Sequence, residues 1–240
     1  MEASVLTEKK VYNFWQGVKD CVPTIVGYLS VGFACGIVGA ANGFTVLEMT
    51  LLAVLVYAGA GQFIICALVG AATPIGAIIF TIFIVNSRHF LMCASLAPTF
   101  KKYSMRKNIR LGILITDEAF GVAMNKILLK EPITDKWMTG VTLAAYSSWI
   151  TGCVMGSVCG QWISDPYVLG LDFALVSMFT ALLLSQLQHF KGSAFKRNLI
   201  LVGIVAACML LFSFFMETYL AVLFSTIIGA SAGMKVCHDD

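Results

Sequence analysis

Apolar residues fall into eight long stretches, at roughly 22–40, 47–71, 74–97, 111–129, 138–162, 168–187, 199–216 and 218–234, separated by short polar connections. Most are close to the ~20 residues that a helix needs to cross a hydrocarbon core ~30 Å thick. The last two are shorter and only Glu217 separates them, so one of them fits a tilted or partial span. The pattern predicts an all-α, polytopic integral membrane protein with about seven to eight hydrophobic helical segments, folded as a single transmembrane domain over residues 1–240. Residues 1–21 break the pattern. Glu2, Glu8, Lys9 and Lys10 precede Val11 to Trp15, with no basic start leading into a short apolar run and a small-residue cleavage site. This segment is expected to be a helix at the membrane surface, with Phe14 and Trp15 as interfacial anchors.

The second stretch is interrupted at its centre by Tyr57-Ala58-Gly59-Ala60-Gly61-Gln62-Phe63. Glycine lowers the cost of leaving helical geometry, and freed backbone groups survive at membrane depth only where protein or a water-filled cavity satisfies them. One reading is a broken or re-entrant segment at Gly59-Gly61 that lines a binding site. The other is that the two glycines only let helices approach closely. Gly32-x3-Gly36, Gly152-x3-Gly156-x3-Gly160 and Gly229-x3-Gly233 have that simpler signature. Trp137 and Trp162 bracket the fifth stretch in the manner of aromatic residues at the two membrane interfaces.

Composition agrees with the pattern: 59% of residues are hydrophobic and 12% charged, with a mean hydropathy of +0.87, too few charges to cover a water-soluble surface. The net charge of +3 is small and its basic residues sit in connections, which argues for orientation signals and against nucleic-acid binding. The eight cysteines lie mostly inside apolar stretches without a CxxC pair and are expected to be packed thiols. Three basic clusters stand out: Lys9, Lys10 and Lys19; Lys101, Lys102, Arg106, Lys107 and Arg110; and Lys191, Lys196 and Arg197. Three apolar stretches separate each cluster from the next, so three full crossings would put consecutive clusters on opposite sides. If all lie on the cytoplasmic side, one stretch in each group fails to cross. The interrupted second stretch is the candidate in the first group; the sequence does not choose in the second.

Charged residues inside apolar stretches carry the chemistry. Asn86-Ser87-Arg88-His89 stands in the third and Thr116-Asp117-Glu118 in the fourth, at matching depths on helices expected to be antiparallel neighbours. A charge at mid-bilayer costs at least about 2.5 kcal/mol, which makes such residues functional candidates by default. Arg88 can hold a carboxylate in two-pronged geometry, Asp117 or Glu118 can carry a proton, and His89 can join the relay. The competing reading is an inert ion pair of Arg88 with Asp117 that fixes helix register. Two ligands, His89 and Cys93, make a poor metal site, and no metal or cofactor is expected. Asp172 and Glu48 are near the ends of their stretches and need no special role.

An enzyme is disfavoured. HExxH and GxSxG are absent, His189 and His238 fall in a connection and the tail, and neighbouring Asp117 and Glu118 point about 100° apart on a helix. A channel with a filter at the interrupted stretch is the alternative to a transporter.

Four motifs in order, Tyr57-Ala58-Gly59-Ala60-x-Gln62-Phe63, Asn86-Ser87-Arg88-His89-Phe90-Leu91, Thr116-Asp117-Glu118-Ala119-Phe120 and Ser147-Ser148-Trp149-x3-Cys153, resemble those of the AzlC family, the large subunit of branched-chain amino-acid exporters. The resemblance runs over about residues 15 to 235. It implies export of leucine, isoleucine and valine across the inner membrane of a prokaryote, together with a small membrane subunit of the AzlD type. Relatives that carry an aspartate at the position of Asn86 have one more intramembrane acid than this chain. Under this reading Tyr57, Gly59, Gly61, Gln62, Asn86, Arg88 and Trp149 bind the substrate, and His89, Asp117 and Glu118 couple its movement to protons.

Overall fold

A computed structural model describes residues 13–163, 170, 173–188, 192–216 and 218–237, so Asp172, His189, Glu217, His238 and most of the predicted surface helix lie outside the described residues. The described residues contain helices and no strand. α1 (Phe14–Asp20) runs almost without interruption into α2 (Val22–Ala41), followed by α3 (Val46–Leu55), α4 (Gly59–Gly70), α5 (Ile75–Asn86) and α6 (Arg88–Phe100). Then come α7 (Met105–Ile113), α8 (Asp117–Leu128), α9 (Asp135–Gly160), α10 (Phe173–Gln188), α11 (Gly192–Ser213) and α12 (Thr218–Cys237). By length and apolarity, α2, the α5–α6 pair, α9 and residues Phe195–Ser213 of α11 can each cross a membrane.

The centre of the protein is the parallel pair α2 and α9. The small-residue ladders do what their spacing suggests: a β-carbon on Gly36 would stand 2.2 Å from the carbonyl oxygen of Cys153, and one on Gly156 1.9 Å from that of Phe33. The backbones therefore touch, which fixes the register of the two helices. α1 docks on the first turns of α9 with the same closeness, Gly17 facing the carbonyl of Trp137.

α3 and α4 form a re-entrant hairpin. Gly70, at the end of α4, lies against the Asn42 side chain just before α3, and Met49 near the start of α3 touches Cys66 in the second half of α4, with sulfur atoms 3.8 Å apart. The chain thus enters and leaves on one side. Thr45 and Glu48 build a capping box where α3 begins, which gives Glu48 a structural task. The turn falls at Tyr57 and Ala58, just before the glycines, which open α4.

The fourth apolar stretch departs from expectation. It does not span: α7 starts upstream of it and ends at Ile113, Leu114 to Thr116 turn, and α8 returns. Both outer ends of this second hairpin meet the start of α9, through Lys107 to Asp135 (2.6 Å) at one end and Lys126 to Asp20 (2.8 Å), which is bonded to Trp137, at the other. Asp117 accordingly begins a half-helix and is not a residue partway along a spanning one. The third stretch also differs, because the helix is interrupted between α5 and α6 at Ser87, where the Ser87 N–H bonds to the Ile84 carbonyl and the Phe90 N–H to the Ser87 carbonyl, each three residues back. The two hairpins enter from opposite sides, each preceded by a crossing (α2, then α5–α6), which makes an inverted repeat of the plan common in transporters.

This path accounts for the first two basic clusters. Every Lys and Arg of residues 13–163 other than Arg88 and Arg110, which is in the last turn of α7, lies at the end where α1 joins α2, α6 meets α7 and α8 meets α9; the opposite end, at 42–45, 71–74 and 161–163, has none. The basic side is therefore the cytoplasmic candidate. Trp137 departs from its expected place at the lipid interface: it is fully buried, and its indole N–H donates to Asp20, whereas Trp162 at the other end is 78% exposed. Lys126, nearly buried, sits over the Trp137 ring at 4.6 Å and also pairs with Glu131. Burial would raise the Asp20 carboxyl, but hydrogen bonds from Lys126, Trp137 and Gln16 hold it below the ordinary carboxylate range.

Candidate functional site

The two hairpin tips meet at the middle of the α2–α9 pair. At the first tip Tyr57 has a left-handed φ of +41° and Ala58 is extended, so α3 stops with carbonyls unspent. The Tyr146 hydroxyl of α9 donates to one of them, the Val54 oxygen, at 2.9 Å, while the Tyr57 and Tyr146 rings pack edge to face at 4.7 Å. A non-glycine residue held in this conformation costs about 1–3 kcal/mol, and such strain gathers at functional sites.

α4 then begins with Gly59-Ala60-Gly61-Gln62, and no side chain caps it. Its first turn of N–H groups and the positive end of its dipole face the site. The Gln62 side chain is fully buried. Its Oε1 accepts the Trp149 indole N–H, while its Nε2 meets no acceptor among the described residues. Trp149 lies directly beneath Gly59: a β-carbon there would be 3.3 Å from the ring, so glycine at 59 is what brings the backbone onto the indole. The Tyr28 ring stacks edge-on to Trp149 at 5.2 Å. From α5, the Asn86 amide faces Gly61, and its buried Oδ1 meets no donor among the described residues.

The second tip has opposite chemistry. Thr116 accepts the Ala119 N–H at 3.4 Å as an N-cap, and Asp117 and Glu118 occupy the first turn of α8. Arg88, first residue of α6, reaches Asp117 at 2.8 Å. Glu118 accepts the Tyr28 hydroxyl, so the two carboxylates diverge as adjacent helix positions require. The Tyr57 side chain comes from the first tip to lie beside Thr116 and Glu118.

The structure thus gathers Tyr57, Gly59, Gly61, Gln62, Asn86, Arg88, Asp117, Glu118 and Trp149 around one point. His89 stands apart: its Nδ1 is 3.0 Å from the Asn86 carbonyl oxygen, and it makes no hydrogen bond or ion pair with either acid. Tyr28 and Tyr146 escaped the sequence reading. Each is a tyrosine within a long helix, with no local signal beyond its hydroxyl.

The family described as AzlC protein matches residues 23–163, more than half of the chain and all of the gathered residues. The chain is 28% identical over 217 residues to Inner membrane protein YgaZ of Escherichia coli, covering 82% of this chain and 89% of that one. It is 30% identical over 194 residues to an uncharacterized membrane protein of Haemophilus influenzae, covering 79% and 77%. It is 25% identical over 206 residues to Branched-chain amino acid transport protein AzlC of Bacillus subtilis, covering 84% and 79%. No solved structure matches.

Proposed function

The chain belongs to the AzlC family, and on that premise we propose that it is a secondary transporter, not an enzyme, which exports branched-chain and related hydrophobic amino acids at the junction of the two hairpin tips. The observation that carries this is the buried Gln62 amide: its Oε1 accepts the Trp149 indole N–H, and its Nε2, beside the uncapped start of α4, meets no acceptor among the described residues. A substrate carboxylate placed there receives backbone N–H groups, the helix dipole and the Gln62 amide together. Asn86 Oδ1, across from Gly61, accepts from the substrate ammonium. Trp149 and Tyr57 wall off the aliphatic side chain.

Arg88 is occupied by Asp117. In this reading, a proton taken up by Asp117 weakens the ion pair and lets the guanidinium contribute to the substrate carboxylate as well, which ties loading to a proton. Glu118, bonded to Tyr28 on the crossing helix α2, is the second acid able to carry the proton, and His89 is a relay residue outside the contact set. The basic side faces the cytoplasm of a prokaryotic cell, and a small AzlD-type subunit completes the exporter in its inner membrane. Exposed Leu47, Leu51 and Leu55 on α3 and Ile75, Ile79 and Phe83 on α5 supply apolar surface for lipid and for such a subunit.

The test is radiolabelled leucine accumulation in inverted vesicles with and without a proton gradient. Accumulation that collapses with the gradient supports the reading. Leucine flux that never exceeds equilibration would indicate the channel alternative. Asp117→Asn and Glu118→Gln then separate the carriers: the essential one abolishes gradient-driven transport but leaves exchange of leucine for leucine.

A further inference from the structure

We infer that the cavity between α6 and α7 is the passage by which an apolar amino acid reaches the site from the basic side; this rests on the transporter reading above. The cavity holds about 300 Å³. That is at the small end of ligand pockets, suited to one small solute. One wall is a single face of α6, Cys93, Leu96 and Phe100, and the other is Asn108, Gly112 and Ile115 from α7 and the turn after it. Phe100 is the last residue of α6, next to Lys101 and Lys102, whereas Ile115 adjoins Thr116 and Asp117. The cavity therefore runs from the basic surface to the second tip.

Its chemistry suits the same cargo as the site. The walls are almost wholly apolar, as an aliphatic side chain requires. The one amide, Asn108, donates its Nδ2 to the Tyr103 carbonyl at 3.5 Å, and its buried Oδ1 meets no donor among the described residues. Gly112 leaves room: a β-carbon there would meet only Cys93 Sγ, at 3.7 Å.

The inverted repeat supplies the second argument. The seam on the other side that corresponds to α6–α7 is α2–α3, and it is shut. Met49 is fully buried against Gly39, where a β-carbon would fall 2.3 Å from its sulfur, and Ala53 one turn further in is also fully buried. The α6–α7 seam keeps a cavity although Leu96, Phe100, Leu111 and Ile115 in its wall are themselves buried, so the two seams differ in how tightly they pack, the kind of difference that rocking of two related halves exploits.

Cys93 is a natural reporter, part-exposed in the wall with its thiol 3.7 Å from the Gly112 carbonyl oxygen. The unmodified protein in inverted and right-side-out vesicles is treated with a membrane-impermeant methanethiosulfonate, and modification of the Cys93 peptide is followed by mass spectrometry. Cys93 should react in inverted vesicles, where the basic side is outward, and far more slowly in right-side-out ones. Leucine should slow the reaction severalfold, and leucine exchange should fall in proportion to the fraction of Cys93 modified. Thermal stabilisation by leucine is measured on the same sample. Stabilisation without protection of Cys93, reaction only from the other side, or reaction only with a lipid-soluble maleimide would overturn the passage and leave the transporter reading standing. Absence of stabilisation by leucine, isoleucine and valine alike would overturn both.

Discussion

At the tip of α3–α4 a half-helix begins Gly59-Ala60-Gly61-Gln62, with no carboxylate and no side-chain cap; at the tip of α7–α8 its counterpart begins Asp117-Glu118 behind a Thr116 cap. Both present the positive end of a helix dipole at mid-membrane. The second is complemented by its own acids, and one of these is in turn balanced by Arg88. The first is left to whatever enters the site. One backbone plan used twice thus yields a half that carries charge internally, to which the proposed function assigns the proton, and a half without a carboxylate or side-chain cap, to which it assigns the substrate carboxylate. A symmetric pair of acidic tips would leave nothing for an amino acid to bind.

The all-or-none test of the comparison is sidedness. Single cysteines at Thr73, after α4, and Lys130, after α8, should be labelled by impermeant reagents from opposite faces, and Lys101 from the Lys130 face. Labelling of Thr73 and Lys130 from one face would dissolve the inverted repeat.

Next in size is the charge pair of the second tip. Arg88→Ala strands Asp117 near mid-membrane and should cost up to about 3–5 kcal/mol of stability, most of it regained in Arg88→Ala with Asp117→Ala. Thermal melts of the purified single and double variants measure this. The double variant should fold yet gain no protection from leucine or valine, since a ligand raises apparent stability only through the state it binds. Protection equal to that of the unmodified protein would make Arg88 architecture alone.

A smaller effect on stability, with a large one on binding, is expected at the first tip. Gln62→Ala leaves the Trp149 indole unpaired and should cost about 1–3 kcal/mol. Gln62→Glu should cost less, because its carboxylate keeps an acceptor for Trp149 and satisfies the α4 dipole. It makes the first tip resemble the second, and leucine-induced stabilisation should vanish. Full leucine binding by Gln62→Glu would show that the α4 start is not the carboxylate site.

The smallest effect is at the base of the second hairpin. The folded-state carboxyl of Asp20 titrates below its unfolded value, so its contribution is fully present above about pH 4 and is lost as pH falls through the depressed folded value. Melting temperatures from pH 7 to pH 3 should fall less steeply in Asp20→Asn than in the unmodified protein. Equal slopes would mean that Asp20 does not hold α1 and α8 to α9.

The first tip was legible in the sequence because glycines and an amide interrupt an apolar run, and the parity of the basic clusters pointed to a stretch that fails to cross if all of them share one side. The second tip had no such mark. Leu114, Ile115 and Thr116 are ordinary in an apolar run, and α7 begins in the polar Met105-Arg106-Lys107-Asn108, so the run at 111–129 joined the end of one half-helix to the whole of the next. Arg88 and Asp117 were legible as partners because a charge in hydrocarbon needs one. Tyr28 and Tyr146 were not, because a tyrosine hydroxyl is satisfied by many surroundings and shows its role only once a neighbour's register is known.

The sequence by itself determined the class of protein, the existence of one broken helix and the residues whose burial needs a reason. Each follows from local quantities: hydropathy over a membrane's thickness, the cost of a buried charge, the backbone freedom of glycine. Only the tertiary structure decided where the chain turns at Ile115 and that the two tips meet between Tyr28 and Trp149. A broken helix in a membrane is stable only when groups distant in sequence take up its freed backbone and polar atoms. Which groups do so is set by the register of α2 on α9, which glycine contacts fix through space.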